Sequence, residues 1–224
     1  MISQRFNVLV IAVSLACFGF AATAAHALPV PLGGGWEAEV MNGATASFVV
    51  DPPPPGATAI QISKDFTQGP GVGGVFPPIL IQFRQVDTDT AGDSGTTNRI
   101  IITQEAITNL TGSAWTDFHW ALLDMGQAWF DPTDTSFNTA PFTNQTFSNF
   151  LDSPANTKPT ELNVDGGVVV DGGFTWFPSG ALVIDVDLSS TSAVIFNLKE
   201  FPTPEPATVT LLALGCVAVL RRRR

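Results

Sequence analysis

Apolar and polar residues alternate with period two through most of the middle of this chain. Leu182, Ile184, Val186 and Leu188 fall on one face of a stretch whose other face carries Asp185 and Asp187. Ile79, Ile81 and Phe83 alternate with Leu80, Gln82 and Arg84, and Ile60 and Ile62 alternate with Gln61 and Ser63. Val194, Phe196 and Leu198 repeat the pattern further on. Such spacing sets an apolar row on one side of a half-buried strand. Ile100-Ile101-Ile102 is continuous instead and predicts a central strand covered on both faces.

Breakers divide these runs. Asp51-Pro52-Pro53-Pro54-Pro55-Gly56 suits neither a helix nor a central strand, and Gly69 to Pro78 reads as a loop. Asp165-Gly166-Gly167 and Asp171-Gly172-Gly173 are so close that one predicts a tight turn and the other a bulge or loop entry. Asp131 to Pro159, rich in Asn, Thr, Ser and Pro, reads as a long connection pinned by Phe137, Phe142, Phe147 and Phe150. Glu37 and Glu39 read as the solvent face of a first strand after Trp36. Many short strands between Gly and Pro turns predict an all-β antiparallel sandwich, jelly-roll or immunoglobulin-like.

The two ends obey a different pattern. Arg5 precedes a mostly apolar core, Phe6 to Phe20, and Ala25-His26-Ala27 fits the small-x-small site of signal peptidase. These features predict a signal helix over 1–27 and a mature start at Leu28. Cys17 makes a poor lipobox, because Ser14 and Leu15 sit badly upstream of it. At the other end Pro204-Glu205-Pro206 leads into an apolar stretch, Ala207 to Leu220, and then Arg221, Arg222, Arg223 and Arg224. As a helix that stretch rises only about 21 Å, short of the roughly 30 Å hydrocarbon layer. The arginines resist translocation and hold the C-terminus in the cytoplasm.

In that order, these parts resemble the PEP-CTERM sorting tail of Gram-negative envelope proteins, which exosortase recognises. The resemblance implies cleavage near Pro204-Glu205-Pro206, transient residence in the inner membrane and delivery to the cell surface or extracellular space. The logic parallels other discarded apolar anchor signals. The alternative is a plain tail anchor that keeps its apolar segment. The expected organisation is a signal peptide (1–27), one β-sandwich domain (28–202), and a sorting tail (203–224) with a hydrophobic helix.

Removing both ends changes the chemistry. Cys17 and Cys216 both lie in the processed segments, so no disulfide, thiolate metal site or cysteine nucleophile is expected in the body. Lys64, Arg84, Arg99, Lys158 and Lys199 stand against nineteen acidic residues between Leu28 and Thr203, a net charge of −14. That balance opposes nucleic-acid binding, which needs phosphate neutralisation. It suits a solvated, self-repelling envelope protein.

Ile100 to Asp124 resembles a segment of secreted bacterial β-sandwich proteins, through Asn109, Thr111, Gly112, Trp115, Thr116, Asp117, Phe118 and His119. The resemblance implies architecture rather than a reaction. Read physically it is a hairpin: Thr111-Gly112 turn, Phe118, Trp120 and Leu122 point into the core, and Trp115, Asp117, His119 and Ala121 face away.

His119 is the one histidine left after processing. Asp117 lies on its own strand face, a poor geometry for a Ser-His-Asp triad, and no G-x-S-x-G elbow supplies a nucleophile. One histidine without cysteine cannot assemble a zinc site. No catalytic residues are assigned. Among the glutamates Glu37, Glu39, Glu105, Glu161 and Glu200, none sits in a glycosidase motif. Asp87, Asp89 and Asp93 group hard oxygen ligands in one loop that would suit calcium, against the simpler reading of a solvated turn. Phe174-Thr175-Trp176-Phe177 gathers three aromatics, of which alternation leaves at least one outside to stack on sugar. The expected function is a secreted, exosortase-processed envelope or matrix protein without catalysis. A carbohydrate-binding module on exopolysaccharide is the alternative and a polysaccharide-acting enzyme a further one. Signal peptidase and exosortase are the expected processing partners.

Overall fold

The computed structural model describes residues 28–71, 74–86, 95–123, 126–190 and 192–203. Every regular element among them is a strand. One sheet runs, in spatial order, β1 (Val30–Gly33), β2 (Trp36–Met41), β5 (Ile79–Gln85), β13 (Ile195–Phe201), β7 (Trp115–Leu123), β10 (Pro159–Val169) and β9 (Asn144–Phe150). The other runs β3 (Thr45–Asp51), β4 (Thr58–Phe66), β6 (Arg99–Asn109), β12 (Ser179–Val186) and β8 (Ala128–Phe130), with β11 (Phe174–Trp176) also paired to β6. The two sheets pack as a sandwich. The expected signal helix and tail helix lie outside the described residues.

The alternating runs face the interior as their spacing predicts. Ile60 and Ile62 of β4, Ile79, Ile81 and Phe83 of β5, Leu182, Ile184 and Val186 of β12, and Phe196 and Leu198 of β13 are all buried. Glu37 and Glu39 lie on the half-exposed side of β2, whose other side is Trp36, Ala38 and Val40. That strand is second in the chain, not first. The core is aromatic and interlocked across the sheets. Phe66 from β4 meets Trp115 of β7 edge-on at 5.2 Å, and Trp176 from β11 meets Phe118 of β7 at 5.3 Å. Such contacts add about 0.5–1.5 kcal/mol each beyond the area they bury.

Four expectations change. The sandwich is not wholly antiparallel: β4 and β6 pair in parallel. The intervening β5 lies in the opposite sheet, so the chain crosses the sandwich and returns beside β4 in the same direction. Ile101 is only half-buried while Ile100 and Ile102 are fully enclosed, so β6 is central in its sheet yet covered on one face there. The segment between Asp131 and Pro159 contains β9, which pairs with β10. β9 is an edge strand of polar composition, so it carries no apolar alternation to read. Phe137 and Phe142 do pin the preceding loop into the core.

The fourth concerns the Asn109–Gly112 corner. β6 and β7 do not pair, because the corner carries the chain from one sheet to the other rather than closing a hairpin. Trp115 is fully buried instead of facing out. Trp115 and Phe118, three residues apart, are both buried, so alternation breaks at the start of β7, where its register with β10 is irregular between Asp165 and Val169. The same irregularity is the expected bulge at Asp165-Gly166-Gly167, and Asp171-Gly172-Gly173 forms the turn before β11.

Candidate functional site

The corner after β6 is built around one buried amide. Asn109, with no exposed surface, donates from Nδ2 to Ser113 O at 2.9 Å and to Val169 O at 3.3 Å. Its Oδ1 accepts from the Thr111 N–H at 3.1 Å and the Thr111 hydroxyl at 2.8 Å. Trp115 donates its indole N–H to the same threonine oxygen at 3.2 Å. Gly112 takes φ +79°, which a side chain would strain, and its N–H is held by Asp171. The Asn-x-Thr-Gly residues are therefore a closed hydrogen-bonded hinge that sets the angle at which β7 enters the facing sheet.

β7 carries Asp117 and His119 on the outer face, beside the end of β13. The Asp117 carboxylate accepts the Thr203 N–H at 2.8 Å and also the Thr203 hydroxyl. His119 Nε2 lies 3.6 Å from Asp117, and its Nδ1 meets Asn163 Oδ1 on β10. The ring stacks on Phe201 at 4.9 Å, and Lys199 covers the Phe201 ring at 4.2 Å. Burial works against the His119 cation, but the Asp117 carboxylate 3.6 Å from Nε2 and the contact of Nδ1 with Asn163 outweigh it and raise the pKa above its ordinary value. Burial works against the Asp117 anion too. The neighbouring His119 ring and the Thr203 hydrogen bonds outweigh it and hold that carboxyl below its ordinary range. The group is a clamp. Its imidazole is held at Nδ1 by Asn163 and covered by Phe201, while Nε2 is buried without a hydrogen-bond partner and faces Asp117 at 3.6 Å.

A second constellation crosses the middle of the sandwich. Lys64 projects inward from β4 and Glu105 from β6, while Glu200 and Trp120 project from β13 and β7, where they are direct strand neighbours. The side chains of Lys64, Glu105 and Glu200 have no exposed surface. Lys64 Nζ donates to Glu105 Oε1 at 2.8 Å and contacts Glu200 Oε2. Trp120 Nε1 donates to Glu105 Oε2 at 3.0 Å. Glu200 Oε1 is buried without a hydrogen-bond partner. Burial pushes the Lys64 ammonium down to about 8, against the opposing pull of Glu105. Ionised side chains are enclosed in this way only when paired, because desolvation otherwise outweighs their attraction.

Sequence reasoning named each of these three residues without joining them. Lys64 and Glu200 continue apolar rows in phase, after Ile60 and Ile62 and after Phe196 and Leu198, and that in-phase charge is the signal. Glu105 gave no such sign. It is out of phase with Ile100 and Ile102, and an irregularity between Ile102 and Gln104 turns it inward.

The remaining candidates are dispersed. Asp87, Asp89 and Asp93 lie outside the described residues, as do Ala25, Ala27, Pro204, Glu205, Pro206 and Arg221 to Arg224. Among the described residues no group of three or more His, Cys, Asp or Glu could hold a metal ion. Glu37 pairs with Arg84, and Glu161 accepts from Ser148. Trp36, Trp115, Trp120 and Trp176 are core residues, and Trp129 is half-buried beneath Lys158 at 4.0 Å. Phe174 and Phe177 are exposed on either side of Trp176.

No curated protein and no solved structure matches this chain. Residues 202–224 match the family model of the PEP-CTERM protein-sorting motif. Pro202, buried, and Thr203, held by Asp117, thus belong both to the sandwich and to the matched segment. By that match the chain carries a PEP-CTERM protein-sorting motif over residues 202–224, a motif that implies exosortase-dependent secretion.

Proposed function

We propose that the chain is a cell-envelope or extracellular-matrix protein whose sandwich is a non-catalytic structural body, delivered to the surface by exosortase processing. The observation that carries this reading is the use made of its aromatic side chains. Four of five tryptophans are buried in the core between the two sheets, where they contribute packing rather than a sugar platform. The two carboxyls that share Lys64, Glu105 and Glu200, are sealed in the core where no polysaccharide reaches them. Residence in the inner membrane is transient, through the segment after Pro206, and signal peptidase and exosortase are the processing partners.

A second reading has one observation in its favour. Phe174 and Phe177, 46% and 55% exposed, flank β11, and Leu110 is 45% exposed. Exposed rings of this kind stack on sugars, which would make the sandwich a binding module for exopolysaccharide. Affinity electrophoresis in gels containing the host's exopolysaccharide separates the two. The structural reading expects unchanged migration. Retardation that Phe174→Ala and Phe177→Ala together abolish would replace it with the binding module.

A further inference from the structure

We propose that Lys64 and Glu200 condense into an intramolecular amide that covalently joins β4 to β13 across the sandwich, with Glu105 as the proton-transfer group. The inference does not rest on the sorting assignment.

The geometry supplies each part of that reaction. Lys64 Nζ already contacts the Glu200 carboxyl, from a strand in the opposite sheet and 136 residues away in sequence. Glu105 receives Nζ on one oxygen and the Trp120 indole N–H on the other, so its carboxylate is oriented toward the amine. Burial lowers the ammonium to about 8, which leaves an appreciable fraction of free amine at neutral pH. The aromatic surround excludes water: Trp120 packs on Phe118 at 4.8 Å, on Trp176 at 5.8 Å and on Phe137 at 5.8 Å.

The step balances without any co-reactant. The lone pair of neutral Nζ attacks Glu200 Cδ of the protonated carboxyl, forming a C–N bond. Glu105 takes a proton from the nitrogen and passes it to the departing hydroxyl. The C–O bond breaks, one water leaves, and Glu105 is regenerated as it began. Nothing is oxidised or reduced. One carboxyl oxygen is lost and the other remains as the amide carbonyl. Holding amine and acid together replaces a bimolecular encounter with an intramolecular one. The product removes an ammonium and a carboxyl from the core, where a static trio with all three groups ionised would hold net negative charge and leave Glu200 Oε1 unsatisfied.

The consequence is mechanical. β13 is the strand that leads into the sorting segment, so an amide at Glu200 would tie the point of surface attachment to the opposite sheet by a covalent bond.

Intact mass spectrometry of the full chain as it accumulates in its host, under denaturing conditions, tests this directly. The expected mass lies one water below that of the processed sequence. Tryptic digestion should leave Lys64 uncut, in a branched peptide that fragments to both the Lys64 and the Glu200 sequences. Glu200→Ala should restore the full mass and cleavage after Lys64. Glu105→Gln, which keeps the shape of the side chain, should leave the bond largely unformed in a folded protein. A wild-type chain with the full mass and ready cleavage after Lys64 would overturn the proposal even if neither variant folds. An equal yield of cross-link in Glu105→Gln would overturn the role given to Glu105.

Discussion

Asp117 on β7 fastens Thr203, receiving its backbone N–H at 2.8 Å and its hydroxyl on the two carboxylate oxygens. The sandwich therefore grips the matched sorting segment at its second residue, directly before Pro204. Asp117→Ala removes both acceptors. It should destabilise the domain by about 1–2 kcal/mol, the usual scale for hydrogen bonds to a charged group. In hydrogen exchange the Thr203 amide should lose protection while the β13 amides keep theirs. Unchanged protection at Thr203 would contradict the clamp.

His119 gives the clamp a pH dependence. Its folded pKa is raised above 6.5 through Asp117 and Asn163, with Glu161 adding to the field. The stability it contributes is complete below the unfolded value of about 6.5 and is lost as pH rises through the folded value. Asp117 acts in the opposite sense, since its lowered pKa adds stability above its unfolded value that is lost on acidification. An NMR titration should place the His119 midpoint above the ordinary histidine range. Melting temperature should step down through that same midpoint, and His119→Ala should remove the step.

The hinge at Asn109 is predicted to be more costly to disturb. Asn109→Ala strips partners from the Thr111 N–H, Ser113 O and Val169 O inside a buried corner. Unsatisfied buried groups cost about 1–3 kcal/mol each, so a loss of about 3 kcal/mol or more in denaturant unfolding is expected. A loss under about 1 kcal/mol would show that the corner is held by packing alone.

Removing the Lys64 amine should also be severe, because neither the ion pair nor the proposed amide can then form. Lys64→Met preserves side-chain length but leaves two carboxyls enclosed beside Trp120. Breaking such a pair by deleting one partner costs about 3–5 kcal/mol. Adding Glu105→Gln and Glu200→Gln to Lys64→Met should recover part of that loss, which equilibrium unfolding would detect.

Strands with one buried face were legible because alternation reports burial directly. Ile79, Ile81, Phe83, Leu182, Ile184 and Val186 all point where their spacing places them. Edge strands were not. β9 has the sequence Asn-Gln-Thr-Phe-Ser-Asn-Phe and buries none of its seven residues fully, so pairing alone defines it. The parallel β4–β6 pair was hidden for another reason, since period two cannot tell which sheet receives the next strand. Trp115 and Glu105 were misplaced or missed because irregularities in register switch neighbouring residues to the opposite face. Lys64 and Glu200 were within reach, as charges in phase with apolar rows, but their meeting depends on the sandwich itself. The sorting segment is the reverse case. Its meaning lies in local order along the chain, so it could be read without any fold.

That order gives the most direct test of the sorting assignment. Changing Pro204-Glu205-Pro206 to alanines leaves the apolar segment and the four arginines in place while removing the mark for exosortase. In a host that carries the enzyme, precursor mass and membrane fractionation should show an uncut chain held in the inner membrane, while the wild-type body is processed and released to the surface. Normal processing of the alanine variant would contradict exosortase sorting and leave a retained tail anchor in its place.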